Sequence, residues 1–459
     1  MNKGYMGIDL GTSSVKIIIY HQNGKIQKSR AAYEEISPDG WYNAVLKAIA
    51  ELDTSECVAI GLSSQVGTYI INGKDVIGWS DRCGAEETLE IKNKYSKELF
   101  VKEISMPHPD IISYPIPRLM YIRKKYGENT RVCQPKDMII QRLTGNCVTD
   151  KYSWRGLANT EKNTYSQMFV KAVGSPILPP IADCFQHVGI INEAVSKATG
   201  ISPKTAVYTG LNDFYASLMG MGILSSGEMF DITGTSEHLG IITDSLCSET
   251  AMVSSPYIQN YVHYGVTASS GASAKFAMNC FYADDFVPDA ETVKASPVFL
   301  PYLNGERAPI FDADASGMFF GINGSCTKKH LTYSVFEGIV FSLYHIYEHL
   351  GMPHIQKLTV SGGAANIHLL NTLKAEIFGT DIYVLQESDT SALGAAMVAA
   401  VGSGAYENMV EASKKMCKTK ETVSAYGNLK PLMLKRFEIY KELYHQTKNT
   451  NYKLKEVQL

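Results

Sequence analysis

A string that occurs twice does most to limit what this chain can fold into. Met6-Gly7-Ile8-Asp9-Leu10-Gly11-Thr12-Ser13 is echoed almost half the chain later by Glu228-Met229-Phe230-Asp231-Ile232-Thr233-Gly234-Thr235-Ser236. Each is an apolar run that reads as a strand, ends in Gly-Thr-Ser and leads into a second strand. A repeat at this separation predicts two equivalent α/β domains facing each other. The length of 459 residues suits two domains, because a single hydrophobic core stops growing well short of it. The natural boundary is Gly220-Met221-Gly222, which gives an N-terminal domain over 1–220 and a C-terminal domain over 221–459.

Around the first repeat the pattern is strand, glycine turn and apolar strand (15–20), then an Asn23-Gly24 hairpin turn and a third strand from Ile26. Helical periodicity follows at 44–52, with strands at 58–62 and 69–71, and the alternation continues to about residue 220. That pattern excludes an all-β barrel. A helix is expected over 432–444, with the polar residues beyond it fraying.

Net charge is −3, without basic blocks, so there is no electrostatic reason to expect nucleic acid or an anionic membrane as partner. Nine cysteines are scattered and never form a C-x-x-C pair, the pattern of reduced thiols in a cytoplasmic protein. No apolar run is long enough to span a membrane, and Asp9 leaves no room for the apolar core of a secretion signal.

Three glycine-bearing turns are candidates for chemistry. Gly11-Thr12-Ser13 combines backbone freedom with hydroxyl donors, which suits a phosphate, and Asp9 just before it could hold magnesium directly or through water. The alternative is an ordinary hairpin turn with a solvated aspartate. Asp213, in Thr209-Gly210-Leu211-Asn212-Asp213, stands at a strand-to-helix junction, where it is either an N-cap or a general base on a substrate hydroxyl. Ser361-Gly362-Gly363-Ala364-Ala365-Asn366 lies between a strand (358–360) and a helix (369–378), and is either a ligand turn or a packing turn. Neither G-x-G-x-x-G nor a Walker lysine motif occurs. His345-Ile346-Tyr347-Glu348-His349 has H-x-x-E-H spacing, but it sits in an amphipathic run (330–350) without a third-ligand signature and reads as a core-edge helix.

Taken together, these segments resemble the FGGY carbohydrate kinases of the actin, Hsp70 and hexokinase-like ATPase superfamily. The most specific run is Gly317-Met318-Phe319-Phe320-Gly321-Ile322, followed after seven residues by His330-Leu331 and then Ser334-Val335-Phe336-Glu337. Upstream, Pro301-Tyr302-Leu303-Asn304-Gly305-Glu306-Arg307-Ala308-Pro309 is similar to the family's P-Y-L-x-G-E-R-x-P segment. Other blocks match in order from Leu10 to Ala396. Departures are specific. Arg118 and Tyr121 replace the usual Lys and Trp, and Gln65-Val66-Gly67-Thr68 replaces the Q-M-H-G of xylulokinases.

The resemblance implies two ribonuclease H-like (actin-like ATPase) domains around a central catalytic cleft, ATP as phosphate donor and magnesium as cofactor. It implies that Gly11, Thr12, Ser13, Gly234 and Thr235 grip the triphosphate while Asp9 positions magnesium through water. Gly271, Gly362, Gly363, Ala364, Asn366 and Gly394 would house ribose and adenine in the C-terminal domain. Gln65, Trp79 and Asp81 would bind a small sugar or polyol, and Asp213 would act as the base. The substrate it implies is a ketose, most simply a pentulose. Gluconate, glycerol or a tetritol is the alternative within the family, and a non-catalytic nucleotide-driven clamp the alternative outside it. A homodimer is compatible with the resemblance.

Overall fold

A computed structural model describes residues 2–107, 111–247, 252–283, 286–425 and 427–458. The chain divides into two compact units, Met1–Leu224 with Ser255–Gln259 and Asp389–Lys418, and Ser225–Ser254 with Asn260–Ser388 and Thr419–Leu459.

The first unit is built on a mixed sheet running His187–Ile190, Ala206–Tyr208, Cys57–Ser64, Gly4–Leu10, Ser14–His21 and Ile26–Ala32. Gly4–Leu10 pairs antiparallel with Ser14–His21 and parallel with Cys57–Ser64. In the second unit Glu228–Thr233 pairs antiparallel with Glu237–Thr243 and parallel with Lys357–Gly362. Both hairpins cross over at Gly-Thr-Ser, so the repeated string is a repeated piece of topology. Sequence-read strands and helices fall where expected, with small boundary shifts. The helix anticipated at 44–52 begins earlier, at Pro38–Ala50, because Ser37 caps it and Pro38 occupies its first turn.

Two expectations differ from the structure. The segment Asp389–Lys418 belongs to the first unit, although it lies far beyond residue 220. Its helix, Thr390–Gly402, is apolar all round and buried almost throughout, so it needs partners on every face. Glycines make the room: a Cβ on Gly7 would lie 1.9 Å from Ala392 O, one on Gly61 2.1 Å from Ala395 O and one on Gly220 2.0 Å from Thr390 O. The C-terminal helix is the second difference. It runs Lys430–Gln458 without fraying after residue 444, and Tyr452 reaches back to the Asp312 carboxylate at 3.4 Å.

Each unit has its own apolar core. The first gathers Ile8, Ile17, Trp41, Val45, Ile60 and Leu143. The second gathers Leu239, Phe336, Phe341, Leu358, Leu373 and Phe437. Among the described residues no helix is long and apolar enough to cross a membrane.

Candidate active site

In the first unit, chemistry-bearing residues collect at the C-terminal ends of neighbouring parallel strands, where open α/β sheets bind ligands. Asp9 is the penultimate residue of one strand, Gly4–Leu10. Its carboxylate is buried and accepts hydrogen bonds from Ser63 Oγ (2.8 Å) and Ser391 Oγ (2.6 Å). Burial pushes its pKa up against the opposing pull of those two bonds. The turn that follows is closed by Gly11 N donating to Ser14 O (3.1 Å) and leaves Thr12 and Ser13 exposed.

Asp213 follows the short strand Leu211–Asn212, which pairs with Ser63 and Ser64. The tight approach is made by Gly210, at φ +69°, where a Cβ would lie 1.8 Å from Leu62 O. Asn212, not Asp213, is the N-cap of helix Asp213–Gly220, its side chain accepting from Tyr215 N (3.0 Å). That removes the capping reading and leaves the Asp213 carboxylate, half-buried and bonded to Phe214 N (2.8 Å), for other work. Burial, then the negative charge of Asp9, pushes its pKa up to about 7, while the Arg155 guanidinium pulls the other way. A carboxylate with that pKa is poised as a base at neutral pH.

The expected sugar residues differ in burial and partners. Gln65 is buried beside the strand end, its N–H on Leu10 O (2.9 Å), and its side-chain Oε1 has no partner among the described residues. Trp79 is 41% exposed, not a core residue, and its Nε1 donates to Thr12 Oγ1 (3.3 Å) on the phosphate-turn candidate. Asp81 is exposed and its carboxylate accepts from Gly78 N (2.6 Å), which is a turn-closing role.

The second unit brings together Gly234, Thr235, Gly271, Gly362 and Gly363. A Cβ on Gly271 would lie 2.1 Å from Gly234 O, and one on Gly362, at φ +98°, 2.2 Å from Thr233 O. Gly363 donates to Thr233 O (2.8 Å) and has open space where its side chain would be. Ala364 is buried next to them, while Asn366 is exposed and accepts from Lys420 Nζ (2.8 Å). Gly394 lies in the helix that packs in the first unit, with a Cβ position 1.8 Å from Ala216 O, so its glycine permits close helix-to-helix approach there. Beneath the second turn, Lys374 Nζ, fully buried, binds the carboxylates of Asp231 and, at 2.6 Å, Glu237, and Glu237 also accepts from Ser270 Oγ.

Several contributors gave no signal in the sequence. Ser63 and Ser391 look like any serines, yet they hold both oxygens of Asp9. Lys136 is buried between Asp150 (3.0 Å) and Asp137 (3.4 Å) and donates to Thr209 O (3.1 Å), fixing the approach to Asp213. Arg155 lies within 5.6 Å of the Tyr114, Phe214 and Tyr215 rings. The H-x-x-E-H segment is not a metal site: His349 bonds His345 O, Glu348 pairs with Lys441, and burial depresses His345 to about 3. Among the described residues no group of three or more His, Cys, Asp or Glu side chains could hold a metal ion.

Residues 4–220 match the N-terminal domain of the FGGY family of carbohydrate kinases, and residues 230–403 match its C-terminal domain. The chain belongs to the FGGY family of carbohydrate kinases. It is therefore a sugar phosphotransferase with the two-domain, actin-like fold of that family, whose sugar kinases use ATP as donor. It is 28% identical to a xylulose kinase of Bacillus subtilis strain 168, with 99% of each chain covered. It is 23% identical to a gluconokinase of Bacillus licheniformis, covering 98% of both. A gluconate kinase structure from Lactobacillus acidophilus superimposes with a TM-score of 0.85 at 24% identity, covering 99% of this chain and all of the other.

Proposed function

We propose that this FGGY kinase transfers the terminal phosphate of ATP to a hydroxyl of a small ketose, a pentulose, with Asp213 as general base. The observation that carries this reading is the Asp213 carboxyl. It is freed from capping by Asn212, half-buried and pushed up to about 7 beside Asp9. Phosphoryl transfer leaves the protein mainly positioning and charge neutralisation. Gln65 offers a buried acceptor to a sugar hydroxyl, Trp79 an apolar face to sugar carbons, and Thr12 and Ser13 exposed hydroxyls to phosphate oxygens. In the second unit the glycines around Thr233 and Gly234 leave backbone exposed for nucleotide.

Magnesium fits the donor set as an ion held mainly by phosphate oxygens and water. Asp9 is a single buried carboxylate facing the charge of Asp213, and among the described residues no multi-ligand cage surrounds it. Bound there through water, the ion would neutralise phosphate charge. The pentulose assignment is favoured by the end-to-end likeness to xylulose kinases. ADP release measured across ketopentoses, aldonates, glycerol and tetritols, with magnesium present, tests it. The highest kcat/KM should fall on a ketopentose. A gluconate or polyol maximum overturns the substrate, and no release above background with any of them overturns the kinase reading.

A further inference from the structure

Trp79 is among the more exposed large apolar residues, yet every polar atom it has is fixed. Its N–H donates to Thr68 Oγ1 (3.2 Å), its carbonyl accepts from Arg118 Nη2 (3.3 Å) and its indole Nε1 donates to Thr12 Oγ1 (3.3 Å). An exposed indole held this way presents one set face instead of sampling many.

Arg118 is the centre of this arrangement. It sits in the first turn of helix Pro115–Tyr126 and is fully buried. Its Nη2 also donates to Gly78 O (3.2 Å) and Asp81 O (2.6 Å), and its Nη1 reaches Cys83 Sγ. Every one of these acceptors lies in residues 78–83. A buried guanidinium holding a core together would be expected to bridge separate elements. This one spends both terminal nitrogens on a single short loop, whose remaining internal ties are the Gly78–Asp81 turn bonds, while its buried Nε has no partner among the described residues. Burying a cation opposite neutral acceptors is costly unless the geometry is well satisfied, and a planar fork with donors at two ends does this where an ammonium cannot.

We propose that Arg118 is a positioning residue for sugar recognition, acting through residues 78–83 to hold the Trp79 indole in its set orientation. The role in recognition rests on the proposed sugar site, whereas the hold on Trp79 does not. Of the three tryptophans, Trp41 and Trp154 are fully buried, so aqueous iodide quenches Trp79 alone.

In the wild-type chain, iodide-selected fluorescence anisotropy should show Trp79 moving with the whole protein. A freely rotating indole there overturns the proposal without any variant. Arg118→Lys should raise iodide quenching and the sugar KM by about tenfold, the scale of losing one or two charge-assisted hydrogen bonds. It should leave the nucleotide KM near the wild-type value, while the melting temperature falls because an ammonium leaves the buried acceptors poorly satisfied. Unchanged quenching, or sugar and nucleotide KM rising together, overturns the proposal. Trp79→Phe separates the two layers. If it leaves sugar KM unchanged while Arg118→Lys still loosens Trp79, the sugar-site reading of Trp79 fails and the hold of Arg118 on the loop stands.

Discussion

Gln65 and Gly363 occupy the same place in two copies of one motif. Each donates its backbone N–H to the last residue of the strand that enters a Gly-Thr-Ser turn, Gln65 to Leu10 at 2.9 Å and Gly363 to Thr233 at 2.8 Å. One carries a buried side-chain acceptor without a partner and the other carries no side chain. Under the proposed function, the same point of the frame serves a hydroxyl in the first unit and the flat body of a nucleotide in the second.

Gln65→Leu should therefore raise the sugar KM by about tenfold or more, because it deletes an acceptor that a sugar hydroxyl would fill. The melting temperature should hold or rise, since an unsatisfied buried oxygen is removed. Steady-state kinetics with a thermal melt checks both.

Gly362 and Gly363 should respond in opposite ways. Gly362→Ala places a Cβ 2.2 Å from Thr233 O at φ +98° and should lower the melting temperature. Gly363→Ala meets open space and should leave the melt unchanged while raising the nucleotide KM. Equal nucleotide KM in wild type and Gly363→Ala would remove that residue from the nucleotide site.

Asp213→Asn should fold, bind sugar and nucleotide, and lose about 10²- to 10⁴-fold in kcat. Its effect on stability has the opposite sign. A carboxyl near 7 in the folded chain but near its ordinary value when unfolded keeps its proton better folded, so folding loses stability as pH rises between those values. In the absence of nucleotide and metal, Asp213→Asn should melt above wild type at pH 8, with the gap shrinking to nothing by about pH 4. Scanning calorimetry across that range reads the sign directly.

Beneath the second turn, Lys374 and its two carboxylates are not equivalent partners. Burial, then the charge of Glu237, pushes Asp231 well above the carboxylate range, whereas Lys374 holds Glu237 below it. Lys374 Nζ nevertheless contacts both carboxylates, so the three side chains form one buried charged cluster. Lys374→Met or Glu237→Gln should cost about 3–5 kcal/mol in urea unfolding, as for breaking a buried pair. Asp231→Asn, which keeps an acceptor for Lys374 and leaves Glu237 as its counter-charge, should cost less, about 1 kcal/mol.

Much of this architecture could be read before any coordinates. The repeated strand and Gly-Thr-Ser turn is a local pattern, and both copies fold as hairpins at those positions. Gly362 and Gly363 were legible as a ligand or packing turn because glycine pairs at strand ends are local as well. Long-range supports were not legible. Ser63, Ser391 and Lys374 act through partners far away in sequence, and a serine or lysine in a string carries no mark of them. Asp213 was ambiguous for a related reason: choosing between cap and base required knowing that Asn212 takes the cap. Gly394 shows the same limit: its motif sits among nucleotide-type blocks, while its close packing against Ala216 is a long-range contact that the string does not display.

The helix Thr390–Gly402 makes the first unit a product of both ends of the chain. A ribosome that has delivered residues 1–224 has produced a sheet whose glycine-lined face, at Gly7 and Gly61, is still bare. That face stays open to chaperones or to wrong partners until about the last sixth of the polypeptide begins to emerge. Stop codons anywhere before residue 389 should therefore yield an N-terminal fragment that aggregates, not a free-standing sugar-binding domain.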